Sequence, residues 1–409
     1  MHTAPAVVPA NAAPLSVRRL IGVVSLALAL GYVVILSGSY LQGQFLTDAQ
    51  GRPIANDFVN VFAAGQLALD GAAASAYDWP LHKAAEVRAL GHDFANYYPW
   101  PYPPTFLFAA AALALLPYLA AALIWLAATF AACATALRTI LGDRIGILFA
   151  LGFPAAIWNV TAGQNGFLTA ALIGGTLSCL ERRPALAGLW LGLLTYKPQF
   201  GLLFPLVLIA ERRWTTVAVA TLVALAMAAT PWLAFGTASW QAFVHAMPST
   251  SRAVFDEGAA DFSRLQSLFG LIRAHGGSAT LAWAVQAAGS VATAALVVWL
   301  WRRPAPYELK AAALAAGTLL ATPYVYMYDL VVLAVAVAFL LRLALHRGLA
   351  AADAAGLAAA GVLILIFPYV KTQVGLAAVA IVMALVVHRA VAATAAAAPS
   401  LSPAKEQTP

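Results

Sequence analysis

Few carboxylates are available to this chain, 16 Asp and Glu among 409 residues, and one of them, Asp57, stands in Ala55-Asn56-Asp57-Phe58-Val59-Asn60 just before an apolar run. A carboxylate there can cap the helix that follows, where negative charge is favoured. It can also serve as a general base that takes a proton from an attacking hydroxyl, and the two roles are compatible. Lys197, in Thr195-Tyr196-Lys197-Pro198-Gln199, interrupts another apolar segment. An unpaired ammonium is costly in such a place, so it either snorkels to lipid headgroups or stabilises negative charge that develops during a reaction. Arg264, in "DFSRLQSLFG", is a second cation for the same task. Gln164 and Asn165, between Gly163 and Gly166, can exchange hydrogen bonds with hydroxyl groups, although a tight turn alone also explains "GQNG". In "TPYVYMYDL", Tyr324, Tyr328 and Asp329 form a polar-aromatic cluster. Tyrosines stack on flat rings or sit in an interfacial belt, and Asp329 fits a helix cap.

These residues sit in a chain that is 63% hydrophobic and only 10% charged. That leaves too little polar surface to coat a soluble globule and points to a multi-spanning membrane protein. The net charge of +7 comes from basic pairs scattered between apolar runs, which mark cytoplasmic anchoring and exclude a nucleic-acid face. Cys133 and Cys179 lie inside apolar runs and read as packing residues. His82, His92 and Asp93 can contact an acceptor or a divalent ion, but their spacing matches no metal site, and Lys83 with Glu86 makes a solvated helix face the default. No metal and no cofactor is expected.

The elements that position the candidates follow from the basic clusters: Arg18-Arg19, Arg138 with Arg144, Arg182-Arg183, Arg212-Arg213, Arg302-Arg303, Arg342 to Arg347, and His388-Arg389. If all lie in the cytoplasm, the chain between them goes out and returns. The turning points are then 42–104, 161–166, 195–199, 236–277, 322–329 and 368–373, so every candidate above converges on the outer face. This reading gives an all-α polytopic protein of about twelve spanning helices. A disordered leader (1–16) and tail (391–409) flank a membrane domain (17–390), with large outer loops at 42–103 and 236–278. Residues 57–70 put Phe58, Val61, Phe62 and Leu69 on one stripe, which predicts a helix lying at the interface. A second helix is expected over Pro80–Leu90, with start signals at Asp78 and Pro80. The stretch from Pro104 to Leu137, with Pro117 inside it, is too long for one span and too short for two. The arms beside Lys197-Pro198 and Pro323 are short and read as partial helices.

The ordered set "NDFVNVFAAG", "SAYDW", "YYPWPYPPTF", "GQNG", "GLWLGLLTYKPQFGLLFPL", "ERRW" and "LLATPYVYMYDLVVL" resembles glycosyltransferase family 87, bacterial integral-membrane enzymes of the GT-C class. The family includes polyprenyl-phosphate-mannose-dependent mannosyltransferases and arabinofuranosyltransferases, and the likeness runs from about Arg18 to Leu340. It implies a GT-C-like fold in the bacterial inner membrane, with an active site facing the periplasm. It further implies an inverting transfer of a hexose or arabinofuranose from a polyprenyl-phosphate donor to a glycolipid or polysaccharide acceptor. A carboxylate in the first outer loop is the base of that class, and Asp57 holds the matching position. Lys197 and Arg264 then become donor-phosphate ligands. Asn56, Tyr97, Tyr98, Gln164, Asn165, Gln199, Tyr324, Tyr328 and Asp329 become sugar or acceptor ligands. A transporter or flippase of a lipid-linked sugar is the alternative, though the halves show no repeat and mid-membrane charges are not evident.

Overall fold

The computed structural model describes residues 13–47, 51, 53–258 and 261–397. The expected leader and tail lie outside these at 1–12 and 398–409. Where they overlap the described chain they are helical: α1 begins at Ala13 and the last helix runs to Ala397. Pro14 suits a first helical turn, and "VAATAAA" continues a helix because alanine loses least on entering one.

After α1 (Ala13–Leu41) a two-residue antiparallel pairing, Leu46–Thr47 with Pro53–Ile54, precedes α2 (Phe58–Leu69) and α3 (Trp79–Leu90). A short α4 (Leu107–Ala114) ends before Pro117, and α5 (Tyr118–Leu141) follows as a full span. That break resolves the awkward stretch after Pro104. Helices α6 (Ile145–Gly152) and α7 (Ala156–Ala162) are bent by 63° at their junction. Three short helices come next, α8 (Gly166–Cys179), α9 (Pro184–Leu193) and α10 (Leu203–Ala210). Helix α11 (Trp214–Ser251) is in fact two helices joined at Gly236, where the backbone leaves helical geometry. The remainder comprises α12 (Leu268–Ala274), α13 (Ala279–Trp301), α14 (Tyr307–Leu320), α15 (Leu333–Arg347), α16 (Ala351–Leu365), α17 (Phe367–Val370) and α18 (Val374–Ala397).

Among the described residues six helices are long and apolar enough to cross a membrane, seven if the bent α6–α7 pair is one span. The count of twelve is therefore corrected. Segments such as Gly166–Cys179, Pro184–Tyr196, Pro198–Ala210 and Ala351–Leu365 are apolar but only 10–17 residues long. At 1.5 Å per residue they fall short of a hydrocarbon core about 30 Å thick. Hydropathy cannot separate such half-length helices from true spans.

The core sits around α14 and the start of α15, where Leu309, Ala311–Ala316 and Leu330–Ala336 are buried without interruption. The small side chains of α14 let α13, α15 and α18 approach closely. At the periphery α1, α11 and α13 expose Leu30, Val34, Leu225, Leu233 and Val291. Contiguous apolar surface of this extent suits lipid.

The two ends of the bundle differ in charge. Arg18 reaches Asp143 at 2.6 Å, which brings the start of α1 beside the end of α5. Tyr307 donates to Leu177 O at 2.5 Å, tying the start of α14 to the end of α8. Glu308 with Arg342 and Asp353 with Arg389 pair on the same side. The loops that carry the candidate residues lie at the opposite end.

Helix α2 departs from expectation. It is buried on nearly every side, with Phe58, Val59, Ala63 and Ala64 at 0% exposure, packed between α3 and α4. A helix apolar all round goes inside rather than lying at an interface.

Candidate active site

The chain enters the site through Asn56 and Asp57, whose amides are tied to the end of α7: Asn56 N donates to Thr161 O at 3.4 Å and Asp57 N to Ala162 O at 2.8 Å. Asp57 precedes α2 but makes no side-chain cap, so the capping role is not realised. Its Oδ2 accepts instead from Gln164 Nε2 at 3.0 Å. The network continues: Tyr102 OH donates to Gln164 Oε1 at 3.0 Å, and Asn165 Nδ2 donates to Tyr102 OH at 2.8 Å. Asn165 O in turn accepts from Thr169 Oγ1 at 3.1 Å and Tyr196 OH at 3.3 Å. Gln164 and Asn165 are buried; both Gln164 side-chain atoms and Asn165 Nδ2 meet protein partners, while Asn165 Oδ1 has none among the described residues. Gln164 orients Asp57 directly, and Asn165 supports it through Tyr102.

Asp57 lies deep in the fold yet stays partly accessible, as a group lining a recess does. Burial raises its carboxyl from 3.8 to about 6; the Gln164 hydrogen bond, then the charges of Arg264 and Lys197, pull the other way. Of the two cations, Arg264 exerts the larger pull.

The turn that presents Gln164 depends on its glycines. Gly163 has φ of +69°, which a side chain rarely tolerates. At Gly166 a Cβ would lie 2.1 Å from Tyr328 O and 2.8 Å from Asn159 Oδ1. The backbone approach between α8 and the 326–329 turn thus requires glycine. Gly166→Ala is expected to cost about 1–3 kcal/mol by forcing these segments apart. A lower thermal unfolding midpoint together with reduced activity would bear this out, and an unchanged midpoint would refute it.

Lys197 and Asp329 meet as a buried ion pair, Nζ donating to Oδ1 at 2.7 Å, with the side chains 3% and 0% exposed. Asp329 Oδ2 also accepts from Tyr326 N at 3.0 Å, which fixes the start of the turn Met327–Val332. The cap expected at Asp329 is present, but its main partner is a lysine 132 residues away. The Lys197 charge, expected from its sequence position to face a phosphate, is matched here by Asp329. Its ammonium lies 5.3 Å from the Tyr328 ring centre.

Arg264 is exposed on the short turn Phe262–Arg264 and, among the described residues, has no ion-pair partner. Its segment is pinned: Gln266 N donates to Val325 O at 2.7 Å, Gly375 N to Gln266 Oε1 at 2.8 Å, and Gln373 Nε2 to Phe262 O at 3.0 Å. These bonds fix the part of the large outer loop that carries Arg264. Tyr324, Tyr326 and Tyr328 form a partly accessible aromatic wall, with Tyr326 and Tyr328 stacked at 5.5 Å and Tyr324 edge-on to Tyr326 at 5.1 Å. Burial pushes the phenols of Tyr324 and Tyr326 up, so both remain hydroxyl donors at neutral pH.

The other candidates divide. Asn56 adjoins Asp57 and stays partly accessible. Tyr97 and Tyr98 lie on the strap from Phe94 to Trp100, with Asn60 Nδ2 donating to Pro99 O at 3.2 Å. Gln199, on the turn Pro198–Gly201, has no side-chain hydrogen bond among the described residues. His82 and Glu86 are both 0% exposed, which overturns the solvated face expected for α3. His92 is elsewhere, its Nε2 2.7 Å from Thr47 O, so the loop histidines do not converge.

Sequence reasoning missed Tyr102, Tyr326 and Glu86. Tyr102 sits among the rings of "YYPWPYPP", which read as an interfacial belt. Its one distinguishing cue is physical, since a buried tyrosine hydroxyl needs a partner.

An apolar groove of about 520 Å³, lined by Leu36, Tyr40, Phe45, Ala55, Leu119 and Thr161 among others, runs between α1 and α5 and reaches Ala55, two residues before Asp57. No curated protein and no solved structure matches the chain. A family model, glycosyltransferase family 87, matches residues 100–323, more than half of the 409. The matched stretch contains Tyr102, Gln164, Asn165, Lys197 and Arg264, with Asp57 before it and Tyr324–Asp329 after it. That match covers more than half of the chain, which places the carboxylate, the glycine turn, the exposed arginine and the tyrosine wall in a family context: the chain belongs to glycosyltransferase family 87.

Proposed function

We propose that the protein transfers a hexose or arabinofuranose from a polyprenyl-phosphate donor to a glycolipid or polysaccharide acceptor, with inversion, on the periplasmic side of a bacterial inner membrane. The observation that carries this reading is the Asp57 carboxylate, partly accessible and oriented by Gln164 at 3.0 Å. The acceptor hydroxyl gives its proton to Asp57 as its oxygen attacks the anomeric carbon. The bond from that carbon to the phosphate oxygen breaks on the opposite face, and polyprenyl phosphate leaves with the electron pair. One carboxylate suffices for this displacement, unlike the pair needed in glycoside hydrolysis.

Arg264 is the group we assign to the leaving phosphate, since it is exposed and has no ion-pair partner among the described residues, while Lys197 is matched by Asp329. Lys197 keeps a supporting role: it holds Asp329, and through it the turn that presents Tyr328 and Tyr326. The tyrosine wall suits a sugar ring, with Tyr97, Tyr98, Asn56 and Gln199 toward the acceptor side. The groove between α1 and α5 fits an isoprenoid chain because its lining is apolar and continuous with Ala55, two residues from the base. The basic residues at the far end of the bundle support a cytoplasmic assignment for that end.

The test is a reconstituted assay with a panel of polyprenyl-phosphate sugars and a mixed acceptor extract. A new glycosidic product with release of polyprenyl phosphate is expected. Movement of the lipid-linked sugar across proteoliposomes without product would favour a transporter instead. Arg264→Gln is expected to lower kcat/KM for the donor about 10²-fold, the scale of one lost charge-stabilising group; an equal loss in Lys197→Gln with no loss in Arg264→Gln would reverse the assignment.

A further inference from the structure

Glu86 and His82 form a buried titratable pair behind Asp57 that the chemistry above does not use. Their side chains are 0% exposed, with His82 Nε2 3.7 Å from Glu86 Oε1. Glu86 Oε1 accepts from Tyr98 N at 3.2 Å. Among the described residues Glu86 Oε2 has no hydrogen-bond partner, and the His82 ring faces the Tyr98 backbone. With the Asn60 contact to Pro99 and the Lys83 contacts to Phe94 O and Asn96 O, the Tyr98 N contact to Glu86 holds the strap of Tyr97 and Tyr98 from two different helices.

A carboxylate with a single neutral donor and no counter-ion is far too costly to bury. The groups around it do not supply the missing charge. On α3 itself, Lys83 donates to Phe94 O at 2.7 Å and Asn96 O at 2.6 Å, and lies 3.9 Å from Asp93. Arg88 is turned to Asp70 at 3.2 Å. Asp57, at the start of α2, adds negative charge, as Asp78 does beside Tyr97, while Tyr77, Tyr97 and Tyr98 are neutral phenols. Burial pulls the His82 imidazole down to about 4, so it stays uncharged.

We infer that Glu86 is a positioning residue for the transfer reaction: as a neutral carboxylic acid it anchors the Tyr97–Tyr98 strap beside Asp57, and its ionisation releases that strap. The inference rests on the reading of Asp57 as the reaction centre. It predicts that Glu86, rather than a group on the substrate, sets the alkaline limit of activity. Burial raises the Glu86 carboxyl from 4.5 to about 8, opposed by Lys83 and the Tyr98 amide and reinforced by Asp57. Being raised, it favours the fold below its unfolded value, and that contribution is lost as pH climbs through about 8.

Two readouts on the full-length protein test this. In pH-difference infrared spectra, wild type is expected to show a carboxylic-acid C=O band that titrates near 8 and is missing in Glu86→Gln. In transfer assays, wild-type kcat is expected to fall up to about tenfold per pH unit on the alkaline side, whereas Glu86→Gln stays within about threefold of wild type and remains flat. Glu86→Ala, which loses the acceptor for Tyr98 N, is expected to lose at least about tenfold. Absence of the band, or an unchanged alkaline fall in Glu86→Gln, overturns the proposal. If no sugar transfer is found in wild type, the function above fails while the infrared titration still judges Glu86.

Discussion

Asp57→Asn is expected to lower kcat for sugar transfer by about 10²–10⁴-fold while leaving the fold intact. Asparagine keeps the size of aspartate and an oxygen that can accept from Gln164 Nε2, but it cannot take the acceptor's proton. Because Asp57 caps nothing in α2, the substitution forfeits no helix cap. It should in fact relieve the protein. The carboxyl is raised in the fold, from 3.8 to about 6, so its favourable contribution is present at low pH and lost as pH rises through about 6. Above that, the ionised group opposes folding by on the order of 1–3 kcal/mol, discounted for its partial exposure. An inactive Asp57→Asn with an equal or higher thermal midpoint would mark a site that trades stability for chemistry. Unchanged turnover would remove Asp57 as base, and parallel loss of midpoint and activity would demote it to a structural group. In wild type, kcat/KM should rise with pH through about 6 as the base form accumulates, a limb absent from Asp57→Asn.

The second large effect concerns the buried pair. Lys197→Met alone leaves Asp329 ionised without a partner in the core and is expected to destabilise by about 3–5 kcal/mol. Asp329→Asn strands the ammonium instead, though its amide oxygen can still accept from Tyr326 N. The double variant Lys197→Met/Asp329→Asn should recover much of the loss, because removing both charges of a buried pair costs far less than removing one. Thermal unfolding of the four proteins in one detergent measures the coupling. Additive losses would show that the pair is not coupled. A Lys197→Met protein of normal stability but with a raised donor KM would restore Lys197 as a free phosphate ligand.

Much of the site was legible as isolated words. "NDFVN", "GQNG", "TYKPQ" and "TPYVYMYDL" each announced polar groups where an apolar chain turns, because hydropathy and turn chemistry are local properties. Their grammar was not legible. Gln164 sits 107 residues from the carboxylate it orients, and nothing nearby in sequence ties Lys197 to Asp329. In α3, Lys83 and Glu86 at a spacing typical of a solvated face hid the fact that Glu86 turns inward beside His82.

The sequence by itself determined the membrane class, the separation of basic and polar ends, the family and the identity of the reacting carboxylate's candidate. Only the tertiary structure decided how many helices are long enough to span, that α2 is interior, and which polar groups are committed to one another rather than open to substrate. The reason is that composition and periodicity report how a segment partitions between water and an apolar medium. They do not report whether that medium is lipid or neighbouring protein, nor which distant donor meets a buried acceptor; close helix packing, as at Gly166 against Tyr328, selects those partners.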